Sequence, residues 1–126
     1  MFNENQKYSR KIVAEKFENK IFENNRLGKW DTTLVSHDDN LIIFMNINVP
    51  GKSGHFFYNN YNPSTKEVTW YGRPGTHSNQ PLMQRLIKNQ ISPFIFARWD
   101  NSDDFTFIRV GNYISHTDGV AGFNSD

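Results

Sequence analysis

The stretch Leu41-Ile42-Ile43-Phe44-Met45-Asn46-Ile47-Asn48-Val49 decides the fold. Its first half is apolar at consecutive positions and rich in β-branched and aromatic side chains, the pattern of a central strand rather than one with a wet face. Pro50-Gly51 stops it. On its N-terminal side, LVSHDDN (34–40) sets an Asp-Asp-Asn turn signal between two extended runs, which predicts a hairpin. On its C-terminal side, HFFYNNY (55–61) and EVTWYGR (67–73) form a second hairpin, closed by the turn-favouring NPSTK (62–66). SPFIFARW (92–99) and FTFIRVGNYI (105–114) are two further strands separated by the acidic turn DNSDD (100–104).

Two helices complete the pattern. Ser9 can cap a helix whose apolar positions Ile12, Val13, Phe17, Ile21 and Phe22 recur near helical period, with Asn24-Asn25 and Gly28 ending it. In RPGTHSNQPLMQRLIKN, Ser78 or Asn79 can cap a second helix with Pro81 in its first turn. Leu82, Met83, Leu86 and Ile87 share one face of that helix. The order shows no βαβ alternation that would demand a parallel sheet. The expected fold is α+β: a curved, mostly antiparallel sheet or partly closed β-barrel, flanked by the N-terminal helix and by one helix between strands. Residues 1–126 are expected to make one domain, with a core over about 8–116 and a tail or start of a linker over 117–126.

Aromatic residues make up 15% of the chain against 37% hydrophobic overall, so the core relies on rings, and rings left over line a surface. The formal charge of +1 hides an uneven distribution. Between Gly51 and Arg98 the charged residues are Lys52, Lys66, Glu67, Arg73, Arg85, Lys88 and Arg98, whereas acids collect at Glu15 to Glu23, Asp38-Asp39 and Asp100 to Asp104. The absence of cysteine excludes disulfides, Cys-ligated zinc and a thiol nucleophile. With no signal-like or membrane-length apolar run, a soluble, cytoplasmic protein without membrane contact is expected.

Catalytic chemistry finds little footing. A metal-dependent nuclease needs clustered carboxylates, and Asp100, Asp103 and Asp104 read instead as solvated turn acids. His37, His55, His77 and His116 match no short zinc pattern. GRPGTH lacks the spacing and the Lys-Ser/Thr ending of a phosphate loop, and no nucleophile elbow is present. The chain is therefore expected to be no enzyme, with no cofactor and no metal.

Binding chemistry fares better. Arg73, His77, Ser78, Asn79 and Gln80 come off a turn entering a helix, where amide N–H groups and hydroxyls suit phosphate oxygens, although Ser78 and Asn79 also suit simple capping. Trp70 and Tyr71 adjoin on a strand and face opposite sides, one towards the core and one available to stack on a base. Trp30 faces the same choice between contact and lid over the core. Asn59 and Asn60 beside Tyr58 suit either backbone satisfaction or the reading of a base edge.

The run GKWDTT, followed by FMNINVPGKSGHFFYNNY, TWYGRPGTHSNQP, PFIFAR and FTFIRVG, resembles a small accessory domain appended to bacterial restriction endonucleases, including HNH-type enzymes. It is similar, more distantly, to the domain that follows helicase and phospholipase-D-like parts in some restriction proteins. The likeness spans about Tyr8 to Gly111, and departs where Thr33 stands in place of the glycine usual after W-x-T. The resemblance implies a noncatalytic DNA-recognition module whose nuclease is another domain or subunit. Its partner would be double-stranded DNA, in the sharper version with a modified cytosine flipped into an aromatic pocket. Trp30, Tyr58, Asn59, Asn60, Trp70, Tyr71, His77 and Gln80 are the expected base contacts or pocket residues. Lys52, Arg73, Ser78, Asn79, Arg85, Lys88 and Arg98 are the expected phosphate contacts, all converging on one hollow. The alternative is a protein-interaction module of a restriction or defence complex.

Overall fold

A computed structural model describes residues 1–50, 58–72 and 75–118. The expected phosphate contacts Lys52 and Arg73 lie outside the described residues. The elements run β1 (Lys7–Tyr8), α1 (Arg10–Glu18), a 3-10 turn (Gly28–Trp30), β2 (Leu34–His37), β3 (Asn40–Asn46), β4 (Asn60–Asn62), β5 (Glu67–Thr69), α2 (Pro81–Ile87), β6 (Ser92–Arg98) and β7 (Phe105–Val110).

Five strands make one curled, half-barrel sheet in the order β1-β7-β6-β3-β2, and β4 and β5 pair separately. The fold is α+β with a curved sheet and two helices, as the pattern predicts. The sheet is mostly antiparallel, but its centre is not: β3 and β6 run parallel in unbroken register from Asn40↔Ser92 to Asn46↔Arg98. That pairing departs from the expectation that nothing demands parallel strands. Parallel neighbours need a crossover, and here the β4–β5 hairpin and α2 lie between β3 and β6 in the chain, a return with only a short helix and therefore no βαβ period to read.

The central position of β3 explains its continuous apolar run. Ile42 and Phe44 face one core with Val13, Ala14, Trp30, Phe96, Phe105 and Phe107. Leu41, Ile43 and Met45 face a second core with Ile95, Ala97 and Ile108, covered by Tyr61, Val68 and Trp70 and by Leu82 and Leu86 of α2. Helix α1 thus covers one face of the sheet, and the hairpin with α2 covers the other.

Helix α1 begins as expected, with Ser9 Oγ accepting from the Ile12 N–H at 3.1 Å. It ends earlier than its apolar spacing predicts, because Asn19 turns left-handed at φ 53° and its N–H donates to the Glu15 carbonyl. Ile21 is consequently 83% exposed rather than a core residue. The Arg10 side chain lies over the rings of Phe44 (4.6 Å) and Phe105 (4.9 Å) and donates to the carbonyls of Trp30 and Thr32. Burial, with the nearby charge of Arg98 second, pushes the Arg10 guanidinium down to about 10.

Trp30 stands in the core with no exposed surface. Its ring stacks on Phe17 at 5.7 Å and its indole N–H donates to Glu18 Oε2, which holds the Glu18 carboxyl below its ordinary value. Trp30→Ala should destabilise the protein by about 3–5 kcal/mol in urea unfolding, the usual range for emptying a buried ring. Trp30→Phe, which keeps much of the ring but loses the N–H, should cost distinctly less; a loss equal to that of Trp30→Ala would mean that the bond to Glu18, and not ring packing, carries the residue's contribution.

Candidate functional site

The β4–β5 hairpin sets out the candidate side chains. Its turn is built by Asn62, whose Oδ1 accepts from the Ser64 N–H at 3.0 Å, while Lys66 takes a left-handed φ of 59° and its N–H donates to the Asn62 carbonyl at 2.7 Å. The register Asn60↔Thr69 and Tyr61↔Val68 separates two faces. Tyr61, Val68 and Trp70 point to the second core. Continued outward, the same register sets Tyr58 opposite Tyr71, and their rings meet edge to face at 6.2 Å. Trp70 and Tyr71 therefore serve opposite sides, as strand alternation predicts.

Asn59 is the one buried polar side chain among the described residues, 8% exposed. Its Nδ2 donates to the Asn46 carbonyl at 3.1 Å and its Oδ1 accepts from the Tyr71 N–H at 2.8 Å. Both ends of the amide are occupied in fastening the hairpin to the end of β3, so Asn59 is not available to read a base edge. Trp30, sealed in the opposite core, is likewise a packing residue and not a base contact. Asn60 is exposed next to the tyrosines.

A cleft of about 620 Å³ opens between this hairpin, α2 and the segment 112–118. Ile43, Ile95, Met83 and Leu86 give it an apolar floor, and Trp70, His77, Ser78, Arg109, Tyr113, His116 and Asp118 stand around it. Gly72 is needed beside it, since a Cβ there would fall 2.7 Å from the Thr76 side chain. Of the expected contacts, Trp70, His77 and Ser78 line the cleft.

The others do not meet in one hollow. Tyr58, Tyr71 and Asn60 belong to the hairpin's outer side. Gln80 precedes α2 without capping it through its side chain; instead its Oε1 accepts from the His77 N–H at 3.2 Å and its Nε2 donates to the Gly75 carbonyl at 3.0 Å. Ser78 and Asn79 do not cap α2 either. Asn79 Oδ1 meets His77 Nδ1 at 3.0 Å, and Ser78 is turned towards the C-terminal segment. Arg85 is held by Asp39 at 3.2 Å, and Lys88 is exposed at the far end of α2. Arg98 donates from Nε to Asn46 Oδ1 at 2.6 Å, lies 4.3 Å from the Phe105 ring, and lines a smaller cavity of about 330 Å³ beside Arg10. Burial lowers its proton affinity.

No family model, curated protein or solved structure matches the chain. Among the described residues, no group of three His, Asp or Glu side chains is placed to hold a metal ion. No helix among them is long and apolar enough to cross a membrane.

The C-terminal segment carries what the sequence pattern missed. Asp118 Oδ1 accepts from the Ser78 N–H at 2.9 Å, its Oδ2 accepts from the Ser78 hydroxyl, and His77 Nε2 lies 3.6 Å from the same oxygen. The Tyr113 hydroxyl meets His116 Nδ1 nearby. A stretch without periodicity gives no signal for such a tie, because one aspartate among polar residues can point anywhere.

Asn59→Ala should cost about 1–3 kcal/mol for each backbone group left unpaired. It should also speed hydrogen exchange at the Tyr71 amide; unchanged exchange there would refute the fastening role. The bonds from Ser78 hold the Asp118 carboxyl below its ordinary 3.8. Because the folded value is the lower one, the tie is complete above pH 3.8 and is lost only as pH falls through that lower value. The Asp118 side-chain carbon resonance should titrate with its midpoint below 3.8, and a midpoint at or above it would contradict these bonds.

Proposed function

We propose that this chain is a noncatalytic DNA-recognition domain of a bacterial restriction system, acting in the cytoplasm beside a nuclease supplied by another domain or subunit. Its cleft receives one base drawn out of the duplex, in particular a modified cytosine. The observation that carries this reading is the cleft itself. A volume of about 620 Å³, an apolar floor and a rim of convergent polar groups suit a flat, partly polar ligand. Trp70 offers a ring for the base to lie against, while His77, His116 and Tyr113 offer donors and acceptors for its edge. A substituent on the base would rest on Ile43, Ile95 and Met83. Arg109 and Lys66, also at the cleft, would meet the flanking phosphates.

The rival reading, a protein-interaction module, draws on exposed apolar groups away from the cleft: Tyr58 at 73% and Trp99 at 46% exposure.

Anisotropy titrations with duplexes that differ only in cytosine modification, at two salt concentrations, separate these readings. Binding should weaken steeply with salt, and His77→Ala and Trp70→Ala should each lose about 1–3 kcal/mol on the preferred duplex. Equal affinity for modified and plain duplexes would remove the modified base and leave DNA binding. Absence of binding to any duplex would favour the protein partner.

A further inference from the structure

We propose that Ser78 and His77 form a phosphate-binding cradle that the chain's own Asp118 occupies at rest, so that a phosphate group and the C-terminal segment compete for one place. The Asp118 carboxylate is seated as a bound anion would be. One oxygen takes the Ser78 N–H at 2.9 Å, the other takes the Ser78 hydroxyl, and His77 Nε2 stands 3.6 Å from that second oxygen. Charge-assisted bonds of this kind suit any compact oxyanion. The donors are fixed independently of their occupant: Gln84 Nε2 donates to the Ser78 carbonyl at 2.7 Å, and Gln80 bridges His77 and Gly75. Asp118 reaches them from 40 residues away.

Displacement has a structural consequence. The segment ending at Asp118 supplies Tyr113 and His116 to the cleft, so a phosphate that takes the cradle unties the end of that wall while leaving both side chains to meet the base. Occupation of the cradle and access to the cleft are thereby linked. The inference rests on the DNA reading for one source of the phosphate, the backbone beside the entering base; a free phosphate is the other.

The test follows the Ser78 amide by NMR during titration with inorganic phosphate, and measures anisotropy with a short duplex. The parent, Asp118→Ala, Asp118→Ala/Ser78→Ala and the charge control Asp104→Ala are compared. If the tail fills the cradle roughly nine-tenths of the time, Asp118→Ala should bind both probes about tenfold more tightly, and adding Ser78→Ala should abolish the gain. A gain with inorganic phosphate alone upholds the cradle and overturns the DNA reading. Duplex binding that is the same in the parent and in Asp118→Ala, with no phosphate effect on Ser78, upholds the DNA reading and overturns the cradle. A gain no larger than that of Asp104→Ala also overturns the cradle, since any lost acid would then do.

Discussion

The parallel pairing of β3 with β6 is the constraint from which the rest of the molecule follows. Two adjacent strands running the same way cannot be joined by a tight turn, so the chain must leave the sheet at Asn46 and return at Ser92. Among the described residues of this crossover, the β4–β5 hairpin and α2 both lie on one face. That face is apolar, and the returning segment supplies its cover through Tyr61, Val68, Trp70, Leu82 and Leu86. The crossover is thus both the lid of a core and the carrier of Trp70, His77 and Ser78, which face residues from the C-terminal segment across the cleft. Because a hairpin and a short helix cover the face incompletely, a cleft remains between them.

Much of this architecture was legible, for a physical reason. Strands reveal themselves through side-chain period, and Leu41–Met45, Ile95–Ala97 and the trio Phe105, Phe107 and Ile108 are apolar because both faces of the sheet are dry. The turns at Asp38 and Lys66 were equally visible, since left-handed backbone and Asx bonding demand particular residues. Strand direction was not. Parallel and antiparallel neighbours carry the same apolar code, and a crossover with a helix of two turns resembles an ordinary loop. The end of α1 was misplaced for a related reason: Ile21 and Phe22 keep the helical spacing, but Asn19 satisfies the last carbonyls by turning left-handed, a local competition that spacing does not report.

The candidate site was legible only in part. Trp70, His77 and Ser78 meet at the cleft because strand alternation and the turn before α2 set their directions locally. Trp30 and Asn59 carry the same chemistry on paper but spend it inside the protein, one on Glu18 and one on the β3 end. Nothing local distinguishes a ring or amide that fastens two elements from one that awaits a ligand. Tyr113, His116 and Asp118 carry no local signal because their position depends on where the chain goes after its last strand, which tertiary packing alone decides.

The two outermost strands have a bearing on solubility. A half-barrel, unlike a closed one, leaves a row of unpaired backbone groups at each border, and such rows recruit foreign strands. Here one border is β1, only two residues long, and the other is β2, where Lys29 Nζ donates to the Ser36 carbonyl at 3.2 Å. The short β1 and the occupied Ser36 carbonyl of β2 limit what these two strands offer a foreign strand. Two small devices, a two-residue strand and a lysine across a carbonyl, thus blunt the borders of an open sheet.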